Sequence, residues 1–150
     1  MTAPSVNVAY LVEEILSAMD SAGIATLSSE MLEVLDILLP STLEAALEII
    51  DSGSISGLVG DISGRMVSTV SGTTGQQYVV LNNYCSCAAF SFSVMKDQSI
   101  MCKHQLAVRL AHILKVVPLT QVPDFQIAYT MVSLTLYKDE PNLISFEENF

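Results

Sequence analysis

Tryptophan is absent from this chain of 150 residues, and lysine and arginine together number only six. Proteins that grip single-stranded nucleic acid line a cationic track with aromatic platforms, so this chain alone is poorly equipped for that task. Charged residues are scarce at 15%, against ~25% in ordinary domains, while 51% are hydrophobic. That balance excludes a disordered, solvating chain. No apolar run is long enough to suggest a membrane-spanning helix. The N-terminus lacks a positive start, and Glu13, Glu14 and Asp20 interrupt its apolar residues, so no secretory signal is expected. No G-x-x-x-x-G-K-[ST] string exists, so the glycines at 57, 60, 64, 72 and 75 form no phosphate loop.

The length suits one compact domain with a real core. The apolar excess is more than such a domain hides, which points to a permanent partner. The net charge of −10 is unevenly placed. Residues 1–61 hold ten acids and no lysine or arginine, whereas the remaining six acids and six bases balance. The N-terminal third therefore cannot supply a basic nucleic-acid surface.

Three segments are expected within one compact domain. Residues 1–53 read as an acidic helical unit. Val8, Leu11, Val12, Ile15, Met19 and Ala22 have helical spacing, and Gly23 stops the first helix. Ser28 or Ser29 can cap a second helix that ends at Pro40. Ser41-Thr42-Leu43-Glu44 has the form of a capping box opening a third. Residues 54–117 change character: short β-prone runs separated by glycine turns suggest an antiparallel meander. Helical spacing returns after Cys102 with Leu106, Leu110, Ile113 and Leu114, and Pro118 ends it. Residues 118–150 should give a last helix from Pro123-Asp124, with Phe125, Ala128, Met131 and Val132 inward, then a frayed acidic tail. The class expected is α+β.

The stretch YCSCAAFSFSVMKDQSIMCKHQLA, residues 84–107, holds every cysteine in the chain. Cys85, Cys87, Cys102 and His104 form the pattern C-x-C, fourteen residues, C-x-H. Zinc takes thiolate and imidazole ligands in a tetrahedron, and structural sites fill all four positions. In an extended segment residues two apart share a side, so Cys85 and Cys87 can present their sulfurs together. Phe90, Phe92 and Val94 alternate, and the spacer is expected to form a hairpin folding one ligand pair onto the other. Buried cysteines can be plain core residues. Their confinement to one arrangement with a histidine favours metal. An odd cysteine count without a secretory signal fits a reducing compartment and a metal or free-thiol role.

This pattern resembles the SWIM-type zinc finger, C-x-C, a variable spacer, then C-x-H with alanine three residues on, and Ala107 fills that last position. Ala88 stands where many such fingers have proline. The words YCSC, FSFSV and CKHQLAV are similar to the small SWIM subunits of Shu-type recombination complexes. The resemblance implies a zinc-stapled ββα finger, no catalysis and a nuclear location. It also implies an obligate heterodimer with a RecA-like recombinase paralogue that favours recombinase filament assembly, touching single-stranded DNA only through the complex. Other SWIM proteins work in ubiquitin-ligase and transposase-related settings, which is the second reading.

Other candidates are plainer. His112 lies eight residues beyond His104 and is expected as a surface or half-buried helical side chain. Glu13-Glu14 and Glu147-Glu148 are adjacent pairs that diverge on a helix, so solvated faces are expected. Lys96, Lys103, Arg109 and Lys115 cluster around the zinc helix and can meet DNA phosphate, a partner's acids or solvent.

Overall fold

The computed structural model describes residues 7–96 and 99–136; the tail expected to fray lies outside them. Three helices come first: α1 (Val8–Ser21), α2 (Ser29–Leu38) and α3 (Thr42–Asp51). The strands β1 (Ile55–Gly60), β2 (Met66–Ser71), β3 (Gln77–Leu81) and β4 (Tyr84–Cys85) follow. Then come α4 (Lys103–Ile113), β5 (Leu119–Val122) and α5 (Asp124–Leu136). The α+β class expected from the sequence is the one observed.

Local chemistry accounts for the helix starts, with one correction. Asn7 caps α1 through its side-chain oxygen, which accepts from the amides of Ala9 and Tyr10, and Ser28 caps α2 by accepting from Met31. The capping box expected at Ser41 does not form: Ser41 has φ +65° and makes no side-chain cap bond. A cap needs extended backbone at that residue. Here Ser41 takes a left-handed conformation between Leu39 and Leu43, both of which are buried.

β1 to β4 form the expected antiparallel meander, and the sheet order is β4-β3-β2-β1-β5. The sheet is nevertheless mixed, because β5 runs parallel to β1 with Gly57 opposite Leu119. The sequence reading missed this strand: four residues between Pro118 and Pro123 carry too little alternation to announce it.

Period-two alternation divides the sheet into two faces. Ile55, Val70, Val80 and Cys85 belong to the main core, which they share with Val12, Leu16, Leu35, Leu43 and Ala46 of the first three helices and Leu106 and Leu110 of α4. Val67, Val79 and Val122 belong to a smaller core closed by Ile127 of α5. The inward face of α5 is therefore Ile127, Met131 and Leu134. Of the four residues expected inside, only Met131 is; Phe125 and Val132 are exposed, as is Ala128. Asp124 fixes this rotation, since its carboxylate accepts from the Ser63 amide and from the Ser63 hydroxyl at 2.6 Å.

The spacer between the cysteine pairs departs from expectation. Phe90–Val94 forms a wide helical turn, closed by the Met95 amide donating to the Phe90 carbonyl at 3.0 Å, and not a hairpin. Phe90 is buried edge-on against Tyr84 at 5.4 Å, while Phe92 is 65% exposed. The alternation of aromatics thus marks one buried and one exposed ring of a turn. The two strands that precede α4 are β3 and β4, joined through Asn82 and Asn83.

Candidate metal centre

β4 delivers Cys85 at its end, opposite Val80. Ser86 then pins the chain to β3: its amide donates to the Val79 carbonyl, and its hydroxyl accepts from the Val79 amide, both at 3.0 Å. Cys87 follows at the start of the spacer turn, where its Sγ accepts from the Phe90 amide at 3.3 Å.

The second pair sits on the first turn of α4. Cys102 is the N-cap, and its Sγ accepts from the Gln105 amide at 3.4 Å while the Gln105 side-chain oxygen accepts from the Cys102 amide at 3.1 Å. This is a capping box in which cysteine replaces serine. It places a sulfur at the positive end of the helix dipole, where a thiolate is favoured. His104 lies two residues into the helix, with its ring stacked on Tyr78 at 4.4 Å between centroids. Ala107, fully buried, follows one turn later.

These four side chains converge: the ligand atoms of Cys85, Cys87, Cys102 and His104 all lie within 4.8 Å of one another, and all four residues are buried. Sulfurs on one zinc at ~2.3 Å stand about 3.8 Å apart, so the cluster is of the right size. His104 Nδ1 is the one buried side-chain nitrogen or oxygen without a hydrogen-bond partner among the described residues. Such an orphan is costly in a core. Three soft sulfurs and one imidazole nitrogen are the donor set of a structural zinc-type site.

Three buried thiols this close cannot all ionise without a cation among them. Hydrogen bonds with Cys102 and Cys85 hold Cys87 far below the usual thiol range. Hydrogen bonds with Cys102 and Cys87, together with burial, push Cys85 far above it. Cys102 is drawn down by Cys85 but raised more by Cys87 and by burial, and is pushed up to about 11. Metal binding must therefore displace protons from these thiols.

The other candidates fall outside the cluster. His112 is half-buried and bonds Ser68, with Nε2 and Oγ 2.9 Å apart. Arg109 pairs with Glu13 of α1 at 3.0 Å. Lys103 and Lys115 are exposed, and Lys96 lies over the exposed ring of Phe92 at 5.5 Å. Glu13 and Glu14 are both exposed, and Glu147 and Glu148 lie outside the described residues. Sequence reasoning missed Gln105 and Tyr78. The C-x-x-Q spacing of Cys102 and Gln105 carried the signal for the first; nothing local marked the second, which depends on the strand register.

The family model for the SWIM zinc finger matches residues 69–116, which include all four ligand candidates. Zinc finger SWIM domain-containing protein 7 of Mus musculus is 39% identical over 122 residues, covering 78% of this chain and 80% of that protein. The Homo sapiens protein of the same name is 40% identical, covering 78% and 86%. The homolog in Dictyostelium discoideum is 36% identical over 112 residues, covering 73% and 72%. Similarity therefore extends well beyond the finger into the helices and strands that build its core. With a buried Cys3His cluster and this likeness over most of both chains, the protein belongs to the SWIM zinc finger family, in the group of zinc finger SWIM domain-containing protein 7.

Proposed function

We propose that the chain is a non-catalytic accessory subunit of a nuclear recombination-mediator complex. It pairs as an obligate heterodimer with a RecA-like recombinase paralogue and promotes recombinase filament assembly during homologous-recombination repair. The observation that carries this reading is the run of words YCSC, FSFSV and CKHQLAV, similar to the small SWIM subunits of Shu-type recombination complexes. The surface supports a permanent partner: Ile37, Ile62 and Phe125 are each more than two-thirds exposed. Charge supports delegation of DNA contact, since a chain of net charge −10 without tryptophan needs cationic surface from elsewhere.

Zinc is the metal proposed for the cluster. Cys85, Cys87, Cys102 and His104 would fill its tetrahedron and leave no position for water, so the ion staples β4 to α4 and does not act as a Lewis acid. Purification of the tagged chain with mass spectrometry of what accompanies it tests the reading. A RecA-like ATPase in stoichiometric amount is expected. Ubiquitin-pathway partners in its place would move the chain to the protein-recognition branch of the family.

A further inference from the structure

Beside the metal cluster, a cleft of about 820 Å³ opens between α1, α4 and the face of the sheet that carries Val80. Its floor is apolar, formed by Leu16, Val80, Val108 and Ile113. Its rim is polar and carries an unbalanced charge. Arg109, the one base lining the cleft, is already matched by Glu13 at 3.0 Å. His112 is held toward its neutral form by burial and spends Nε2 on Ser68. The Asp20 carboxylate has no ion pair or hydrogen bond among the described residues; its attraction for His112 is outweighed by the burial of that ring. The surrounding field has the same sign, because residues 1–61 carry ten acids and no lysine or arginine. Gln105 uses its carboxamide oxygen on the Cys102 amide, which leaves its NH₂ to donate on the cleft side.

We propose that this cleft seats a segment of the partner protein, one that offers a lysine or arginine to Asp20 and apolar side chains to the floor. An acid without an ion pair above an apolar floor selects a cation carried on an apolar stem or set among apolar neighbours. A phosphate backbone is repelled by the same acid. The carboxamide of Gln105 supplies a donor suited to a peptide carbonyl. Because the other end of that side chain holds the Cys102 amide, a docked segment also braces a metal ligand. The inference rests on the functional reading in one respect, that a stoichiometric protein subunit exists, and is independent of that subunit's fold.

The test uses the full chain co-expressed with the subunit that co-purifies with it. Asp20→Lys should weaken the pair about tenfold or more, in line with the coupling of close charge pairs across interfaces. Ser21→Trp plugs the rim from an exposed position without reversing a charge, and should weaken it similarly. Glu14→Lys makes the same charge change on the same helix outside the cleft and should stay within about twofold of wild type. All three should keep full metal content. Wild-type affinity in both cleft variants overturns the proposal. So does an equal loss in Glu14→Lys, which would indicate diffuse acidic steering, or an isolated-chain dimer that Asp20→Lys dissociates, which would make a second copy the occupant. A co-purifying subunit without a RecA-like fold overturns the functional reading, while the same three variants still decide the cleft. A chain with no stoichiometric subunit overturns both.

Discussion

The hydroxyl of Ser68 on β2 and Nε2 of His112 on α4 lie 2.9 Å apart, joining the sheet to the helix that carries two of the metal ligands. Burial lowers the His112 pKa, against a smaller raising effect of Asp20. Well above pH ~6.5 the imidazole is neutral in folded and unfolded chains alike, and this residue adds no pH dependence. Below that, the unfolded chain takes up the proton first, so stability falls with falling pH until the folded pKa is passed. The difference in unfolding free energy between wild type and His112→Gln should therefore change in favour of the variant as pH falls below about 6.5. Identical pH slopes in urea titrations of the two proteins would refute this.

Metal removal should be felt across the main core. Replacing Cys87 or His104 with Ala is expected to abolish stoichiometric metal and to unfold at least the finger, since structural zinc contributes ~10–16 kcal/mol in small fingers. Elemental analysis and near-ultraviolet dichroism read the two effects. A full zinc equivalent in the His104→Ala protein would show that the ligand set is wrong.

Ala107 is fully buried one turn beyond His104. Ala107→Leu should overpack that contact and cost ~1–3 kcal/mol. Thermal unfolding of the metal-loaded variant checks it; an unchanged midpoint would mean that the site can relax around the larger side chain.

Gly60 ends β1 where a Cβ would run into the Asp124 carboxylate and the Ser63 hydroxyl. Gly60→Ala should thus disturb the Asp124–Ser63 bonds that set the rotation of α5, at ~1–3 kcal/mol. Adding Asp124→Ala should relieve part of the penalty in a double-mutant cycle. Strict additivity of the two substitutions would place the cost elsewhere.

The isolated chain should bind single-stranded DNA weakly or not at all at physiological salt, and the co-expressed pair should bind it with a steep salt dependence. Fluorescence anisotropy across a salt series separates the two. Micromolar or tighter binding by the chain alone would contradict the accessory reading.

The ligand set was legible because C-x-C and C-x-H are local patterns whose chemistry is carried by residue type. The first three helices and the meander were legible for a similar reason, since apolar spacing and glycine turns act over a few residues. What escaped depended on distant partners. β5 exists because β1 offers it an edge, and its burial shows only at Val122. The rotation of α5 is chosen by Ser63 in the turn between β1 and β2, which no helical periodicity of its own could reveal. The Ser41 box failed because the αL turn after Pro40 overrode a valid local motif. Phe90 and Phe92 share a turn whose hydrogen bond spans five residues, a spacing that imitates strand alternation in sequence.

The parallel pairing of Gly57 with Leu119 also sets the order in which the molecule can be assembled. As the chain leaves the ribosome, β1 to β3 can zip up as hairpins, but β1 keeps an open edge until residues 119–122 arrive. Contacts between partners so far apart in sequence are slow to form, and an unpaired strand is a template for association with other chains. A product terminated between α4 and β5 would hold every metal ligand and still carry that edge. The ligand set and the closing strand of the sheet are therefore separable along the chain, and a truncated product can possess the first while lacking the second.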